Sequence, residues 1–250
     1  MTNKLKYFIG NWKMFGSLNS INIVHQIDTF CKRYRKNYKV VICVPSTLIY
    51  YFSNKIKSKY ISIGGQNCHE NNKFGAFTGS INASLVKDAG ANYIILGHSE
   101  NRSEGETDQE IRKKIISAAK KKLNIIFCIG ETAQEKKSGK TFTVLKRQLK
   151  NSIYSKNFMN RTIIAYEPRW AIGTGKLPNP LELKKIFIFI KKFLEKKFKI
   201  KKPNPVLYGG SVNKANINMF SSISEIDGFL IGESSKSSKK FIDIIKNYYK

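Results

Sequence analysis

The sequence predicts an α/β protein folded as a single (β/α)8 barrel over residues 1–250, and two observations carry that prediction. First, eight short apolar runs, rich in β-branched and aromatic residues, recur along the chain. They are continuously apolar rather than alternating, which is typical of parallel strands buried on both faces. Second, segments with helical periodicity separate most of the runs, which fits a barrel of alternating strands and helices. A doubly wound open sheet is the structural alternative.

The predicted strands follow one another at fairly even intervals, and no Pro-, Gly- or Ser-rich linker divides the chain. In order they are KYFIGNW (6–12), KVVICV (39–44), YISIGG (60–65), NYIILG (92–97), NIIFCIG (124–130), TIIAY (162–166), PVLYGG (205–210) and DGFLIG (227–232). Helical spacing of apolar residues is clearest in segments 17–32, 108–121 and 181–198. The last segment is also basic, so binding at a membrane surface is an alternative to an outer barrel helix.

The formal charge of +28 is the most unusual bulk property of the chain. One interpretation is a partner that is nucleic acid or an anionic membrane surface. However, only seven of the 45 basic residues are Arg, and Lys, Asn, Ile, Phe and Tyr are all abundant. A/T-rich codons encode those five residues, so a biased genome produces the same excess. We therefore predict no specific nucleic-acid partner and no membrane partner.

Cysteine usage and the absence of long apolar segments predict a cytoplasmic protein. Cys31, Cys43, Cys68 and Cys128 are widely spaced and show no metal-ligand pattern, so we expect reduced thiols. No run of 18 apolar residues predicts a membrane-spanning helix, and the N-terminal segment lacks the apolar region of a secretory signal.

In a barrel, chemistry takes place just beyond the C-terminal ends of the strands. Several reactive or anion-binding groups follow predicted strands in this sequence: Asn11, Lys13, His98, Glu100, Glu167, Gly209, Gly210, Ser211 and Gly232. The predicted rim therefore combines a carboxylate, an imidazole, an amine and two glycine-rich turns that can bind phosphate.

Taken one at a time, these groups are ambiguous. Glu167 is a candidate general base, but a Glu at a strand end also starts helices or forms ion pairs. His98 lies where a helix can begin, so its imidazole is either a neutral hydrogen-bond donor or a structural residue. Lys13 is either an anion ligand or a surface charge. After Glu167, Pro168 stiffens a segment whose glycines at 173 and 175 permit movement, as a closing lid requires.

Six motifs, in order over nearly the whole chain, resemble the triosephosphate isomerase family. They are GNWKM (10–14), GAFTG (75–79), GHSE (97–100), CIGET (128–132), YEPRWAIGTGK (166–176) and YGGSV (208–212). The resemblance implies a TIM barrel that interconverts dihydroxyacetone phosphate and D-glyceraldehyde 3-phosphate through an enediol(ate), in glycolysis and gluconeogenesis. It also implies that the enzyme needs no cofactor and no metal. A different phosphate-binding barrel enzyme is the alternative.

The same resemblance implies a role for each rim residue. Glu167 moves a proton between two carbons, and a neutral His98 polarises the carbonyl. Asn11 and Lys13 stabilise the negative intermediate, and Glu100 supports Lys13 and His98. The implied substrate- and phosphate-binding residues are Asn11, Lys13, Gly173, Ser211, Gly232 and Glu233. Of these, Gly173, Ser211, Gly232 and the backbone amide of Glu233 are the implied phosphate ligands.

This sequence departs from the family pattern at positions that bear on the phosphate and on the predicted homodimer. Glu233 stands where the family usually has a second glycine, and we expect its side chain to turn outward and pair with a lysine. Ser80 and Asn101 replace an acid and an arginine that typically bridge two subunits, and Phe15 replaces an asparagine. The GAFTG loop, with Thr78 at its tip, is retained, so we expect a repacked interface rather than a lost one.

Overall fold

The computed structural model describes residues 4–153 and 155–250, and their eight strands close into a parallel barrel. The strands are β1 (Lys6–Asn11), β2 (Tyr38–Cys43), β3 (Ile61–Gly65), β4 (Tyr93–Leu96), β5 (Asn124–Ile129), β6 (Thr162–Tyr166), β7 (Val206–Tyr208) and β8 (Gly228–Ile231). They are arranged in chain order, and β8 pairs back with β1 from Tyr7–Gly228 to Gly10–Ile231. The (β/α)8 prediction is confirmed, and the open-sheet alternative is wrong because no edge remains between β8 and β1.

Helices cover the outside of the barrel. They are α1 (Ile21–Arg33), α2 (Ser46–Lys55), α3 (Ala83–Asp88), α4 (Ser99–Ser103), α5 (Asp108–Lys120), α6 (Ala133–Lys137), α7 (Thr141–Ser152), α8 (Pro180–Phe198), α9 (Ile217–Ser221) and α10 (Ser238–Tyr248). The predicted helix over 17–32 begins as a 3-10 turn, Leu18–Ser20, before α1. The basic helix α8 buries six apolar side chains against the barrel, which confirms the interpretation as an outer helix.

Local sequence signals explain where several helices begin. Thr107 accepts a hydrogen bond from the Glu110 amide at the start of α5, and the Glu110 carboxylate in turn accepts one from the Thr107 amide. This reciprocal arrangement satisfies backbone amides that have no partner within the helix. Asn179 does the same for α8, where Pro180 occupies the first helical position and needs no amide partner.

Two apolar cores flank the strands. Side chains that point inward fill the barrel interior, including Ile9, Val41, Ile126 and Leu207. Their neighbours along each strand point outward and pack beneath the helices, for example Phe8 and Val40. This double burial is why each strand is continuously apolar in sequence.

The four cysteines are free and buried, as expected for reduced thiols. Within the described ranges, no helix has the length and apolar content needed to cross a membrane. The same residues contain no cluster of three or more His, Cys, Asp or Glu side chains suited to hold a metal ion.

Candidate active site

A cavity of about 460 Å³ opens at the C-terminal end of the barrel. Among the residues that line it are eight of the predicted site residues: Asn11, Lys13, His98, Glu167, Gly173, Ser211, Gly232 and Glu233. The remaining one, Glu100, lies outside the lining but contacts Lys13 and His98 from behind. The strand ends therefore bring together residues that are up to 222 positions apart, from Asn11 to Glu233.

Lys13 occupies an unusual backbone conformation, with φ of 55°. A non-glycine residue in the left-handed region costs roughly 1–2 kcal/mol, so neighbouring contacts must hold it there. Its amide donates to Asn11 Oδ1 at 3.0 Å, and its carbonyl accepts from Gln66 Nε2 at 3.0 Å. Its amine reaches Glu100 Oε1 at 2.6 Å. This set of contacts fixes the ammonium group at the cavity wall.

His98 is 5% exposed and is held at both ring nitrogens. The Glu100 amide donates to its Nδ1 at 3.2 Å, so Nδ1 carries a lone pair and Nε2 carries the hydrogen in the neutral ring. Nε2 lies 3.2 Å from Glu167 Oε1. Burial lowers the pKa of His98, but the charge and hydrogen bond of Glu167, with a smaller contribution from Glu100, raise it above its usual value overall. The N-terminus of α4 was expected to lower the pKa of His98. While Glu167 contacts the ring, its carboxylate outweighs that effect.

Glu167 is buried at the end of β6, and its second carboxylate oxygen accepts from the Ser99 amide at 3.3 Å. Two glycines make room for it. A Cβ atom at Gly130 would lie 1.8 Å from the Glu167 carbonyl oxygen, and one at Gly209 would lie 2.7 Å from Glu167 Cγ. No side chain other than hydrogen fits at Gly130 without moving Glu167. The Cys128 thiol also contacts Glu167; burial, followed by that carboxylate, raises the thiol pKa well above its usual value.

Glu131 organises the beginning of the predicted lid after β6, a role that the sequence alone did not indicate. It is fully buried and accepts hydrogen bonds from Tyr166 Oη at 3.1 Å and Trp170 Nε1 at 2.9 Å. The Arg169 amide donates to its backbone carbonyl at 3.0 Å. The signal was present in the CIGET motif, since Glu131 lies two residues after the end of β5, on the same rim as the other groups.

Backbone groups and small side chains form the far end of the cavity. Gly173 has φ of 70°, which suits glycine, and it is exposed at the tip of the lid. Ser211 Oγ donates to the Ala171 carbonyl at 3.0 Å. The Glu233 side chain is 80% exposed and pairs with Lys236 at 2.7 Å, which confirms the predicted outward turn and lysine partner. That ion pair lowers the pKa of Glu233, so the carboxylate is ionised.

Comparison with known proteins places the chain in a family. A model of the triosephosphate isomerase family matches residues 6–248. Triosephosphate isomerase of Bartonella bacilliformis is 37% identical over 258 residues, covering 100% of both chains. That of Saccharomyces cerevisiae is 39% identical, covering 96% of this chain and 98% of its own. The crystal structure of triosephosphate isomerase from Bartonella henselae superposes with a TM-score of 0.89 at 33% identity, covering 98% of this chain and 99% of its own.

This chain belongs to the triosephosphate isomerase family. The predicted resemblance is thereby confirmed, together with the predicted enzyme class, an isomerase.

The residues at which this family member was expected to contact a second subunit lie outside the cavity. Thr78 and Ser80 are exposed on the loop between β3 and α3, and Asn101 is half-buried in α4. Phe15 packs edge-on against the buried Trp12, with ring centroids 5.5 Å apart, and Lys236 lies 5.5 Å above its ring. Phe15, which replaces the family's asparagine, thus makes contacts within its own chain.

Proposed function

We propose that this chain interconverts dihydroxyacetone phosphate and D-glyceraldehyde 3-phosphate by proton transfer through an enediol(ate) intermediate, a step of glycolysis and gluconeogenesis. One observation carries the proposal. A buried carboxylate, Glu167, and a ring N–H, His98 Nε2, face each other at 3.2 Å on the floor of a cavity that Lys13 also lines. Abstracting a proton next to a carbonyl requires such a base and such a donor together.

Glu167 is proposed as the catalytic base that carries the proton between C1 and C2. With no substrate bound, its carboxylate is held by the Ser99 amide and by His98. Substrate that enters the cavity must come between Glu167 and His98. The carboxylate then exchanges these contacts for the carbon-bound proton.

His98 is proposed to act as a neutral electrophile. Because the Glu100 amide occupies its Nδ1, the Nε2 hydrogen is available for the substrate oxygen. The contact with Glu167 is the main cause that raises the pKa of His98, and the Glu100 carboxylate adds to it. Substrate that separates the two groups removes that cause, and burial and the Nδ1 hydrogen bond then favour the neutral ring.

Lys13 and Asn11 are proposed to stabilise the negative oxygen of the intermediate. Asn11 shares the end of β1 with Lys13 and fixes its amide. Glu100 is proposed as a positioning residue, because its carboxylate binds the Lys13 amine at 2.6 Å from behind the cavity. Donors fixed in this way need no reorganisation when charge develops on the substrate.

The phosphate is proposed to bind at the far end of the cavity, between the lid and the turns after β7 and β8. Its proposed ligands are Lys13, Asn11, Gly173, Ser211, Gly232 and the amide of Glu233. Lid closure would bring the Gly173 amide to the phosphate and exclude water from the intermediate. The reaction moves protons only, so its chemistry calls for no redox cofactor and no metal.

The active form is proposed to be a homodimer. The loop that carries Thr78 and Ser80 also exposes Phe74, with 72% of its surface accessible, and Phe77, with 43%. Met14, next to Lys13, is 100% exposed. Apolar side chains this exposed, beside a catalytic residue, favour a partner surface. Phe15 and Asn101 are proposed to lie in the same interface.

The remaining proposals concern the chain as a whole. We propose that residues 1–250 form one catalytic domain and that the protein works in the cytoplasm, which the four free thiols support.

A coupled assay tests the proposal, with isomerisation in either direction followed through a dehydrogenase that consumes the product. We expect turnover by the wild type and losses on the order of 10²–10⁴-fold for Glu167→Gln and for His98→Ala. Lys146→Met, on the exposed face of α7, serves as the control and should keep full activity. No turnover by a folded wild-type protein would overturn the proposal.

A further inference from the structure

A second large cavity, of about 720 Å³, lies at the other end of the barrel. We call it the basal cavity; Lys4 and Lys6 line it at the start of β1, and Lys36 lines it just before β2. The C-terminal end of α10, with Tyr248 and Tyr249, forms another part of its wall. Because β1 runs from Lys6 to Asn11, roughly 17 Å of strand separates it from the candidate active site.

The charges around the basal cavity are unbalanced. Two carboxylates act on its lysines. Asp227 forms ion pairs with Lys4 and, at 2.7 Å, with Lys191, and Glu225 accepts from Ser224 Oγ at 3.1 Å and pairs with Lys184 at 3.5 Å. Asp227 Oδ2 also accepts from the Val206 amide at 2.9 Å. Among the described residues, no carboxylate lies within ion-pair distance of Lys6 or Lys36. At least two positive charges therefore remain to be neutralised.

Lys6 is the least expected of these lysines, because only 5% of it is exposed. Its amine donates to the Ile226 carbonyl and lies 5.7 Å from the centre of the Tyr248 ring. Burial lowers its pKa to about 8, while Asp227 and, more weakly, Glu225 oppose this, and Lys4 and Lys191 add to it. An anion beside Lys6 would recover the charge that burial disfavours.

The shape of the basal cavity suits a compact ligand. Its volume falls within the range of roughly 300–1,000 Å³ that small-molecule sites occupy. Serine hydroxyls at 221, 222 and 224 and the side-chain amide of Asn247 also line it, and each already donates a hydrogen bond within the protein. Recognition of an anion here therefore depends on the lysines. The aromatic side chains of Tyr248 and Tyr249 limit solvent on one side, which strengthens charge interactions inside.

We propose that the basal cavity binds the phosphate group of a small phosphorylated molecule, with Lys6 and Lys36 neutralising its two charges and Lys4 assisting. A dianion matches the two lysines that lack carboxylate partners. The site differs from the candidate active site in position and in ligands, so it can be occupied while isomerisation proceeds.

Inorganic sulfate is the probe, because it is a tetrahedral dianion like phosphate and does not titrate near neutral pH. Protein labelled with ¹³C at lysine is titrated from pH 6 to pH 10 in sulfate and in chloride of equal ionic strength. Lys6→Met assigns the Lys6 resonance. We expect a Lys6 pKa near 8 in chloride, from its burial, and a higher pKa in sulfate. Sulfate affinity reported by this resonance should fall about tenfold from pH 7 to pH 9, as Lys6 loses most of its charge.

Lys36→Met should reduce the effect of sulfate on the Lys6 pKa and leave isomerase turnover unchanged. Because Lys36 is exposed, this substitution should not disturb folding. Lys146→Met, on α7, is the matched control and should leave the sulfate effect intact. The proposal is overturned if Lys6 titrates identically in the two salts, or if Lys36→Met leaves the response to sulfate unaltered.

Discussion

At the scale of single residues, the contact between His98 and Glu167 defines the resting state of the site. The imidazole and the carboxylate lie 3.2 Å apart, and both are almost fully buried. This contact favours the charged ring, whereas the Glu100 amide at Nδ1 favours the neutral ring. In the ligand-free protein, Glu167, the proposed base, is therefore held against His98, and the proposed mechanism requires substrate to separate the two groups.

The same pair makes folding stability depend on pH. The pKa of His98 is raised in the folded protein, so its contribution to stability is complete below its unfolded pKa of about 6.5. That contribution is lost as pH rises through the folded value. We expect the free energy of unfolding of the ligand-free wild type to fall more steeply above pH 6.5 than that of Glu167→Gln, as measured by urea titrations at several pH values. Parallel pH profiles for the two proteins would contradict this.

Glu233 should have little effect on substrate binding, because its carboxylate is exposed and paired with Lys236. We expect Glu233→Gly to change the Michaelis constant less than threefold at low salt, a difference of under about 0.7 kcal/mol. Lys236→Met, which frees the carboxylate near the phosphate, should raise the Michaelis constant further than Glu233→Gly does. A large improvement in Glu233→Gly would show that the carboxylate faces the substrate instead.

Much of the site was predictable residue by residue because strand ends are recognisable in sequence. Glu167, His98 and Lys13 each follow a continuously apolar run, and parallel strands bring such positions to one rim. The contacts between them were not predictable, since they depend on side-chain directions across the barrel. Glu131 was missed because a buried carboxylate is identified by its partners, Tyr166 and Trp170, which only the folded chain brings near.

At the scale of elements, the segment after β6 combines a stem held by buried contacts with an exposed tip, where Thr174 Oγ1 donates to the Trp170 carbonyl at 3.0 Å. Glu131 holds the stem through Trp170 and the Arg169 amide, and the Lys136 amine lies 4.4 Å above the Trp170 ring. Beyond it, Gly173 and Gly175 both have positive φ and are exposed. We therefore expect any closing motion to be confined to the tip, while Glu167, the proposed base, keeps its position at the end of β6.

Close packing between β5 and β6 should control the position of the catalytic carboxylate. A Cβ at Gly130 would overlap the Glu167 carbonyl, so Gly130→Ala must displace the β6 end. We expect kcat to fall at least tenfold, with a smaller change in KM, because the base moves while the phosphate ligands stay. Steady-state kinetics should show the contrast with Gly139→Ala, where φ of 68° also strains an alanine but the added Cβ meets nothing within 4 Å. Gly139→Ala thus controls for backbone strain that does not displace Glu167. Equal kinetics for the two variants would refute this packing argument.

At the scale of the whole molecule, the barrel places the candidate active site and the basal cavity at opposite ends. The fold was predictable because eight buried strands leave a clear sequence pattern, and α8 shows that a basic helix can still be an outer helix. The excess of lysine in the sequence, by contrast, did not indicate which lysines come together in the folded chain. Only the folded chain shows that Lys6, at the start of β1, and Lys36, just before β2, line one cavity at the base.

The exposed loop between β3 and α3 should hold two subunits together. We expect wild-type protein to sediment as a dimer at micromolar concentration and Phe74→Glu to sediment as a monomer with lower activity, because a charge would be buried in the interface. Leu181→Glu is the control, since Leu181 is also 72% exposed but lies at the start of α8. A fully active wild-type monomer, or equal effects of both substitutions, would contradict the proposed interface.

Isomerisation in deuterium oxide tests most directly whether Glu167 carries a proton between adjacent carbons. Dihydroxyacetone phosphate is converted by the wild type, the aldehyde product is trapped by a coupled oxidation, and deuterium is located by NMR. A carboxylate that holds the proton exchanges it with solvent, so we predict deuterium at C2 of the trapped product. A wild-type product that carries only the original hydrogen at C2 would instead indicate direct transfer between the carbons, and would contradict the assignment of Glu167 as the base.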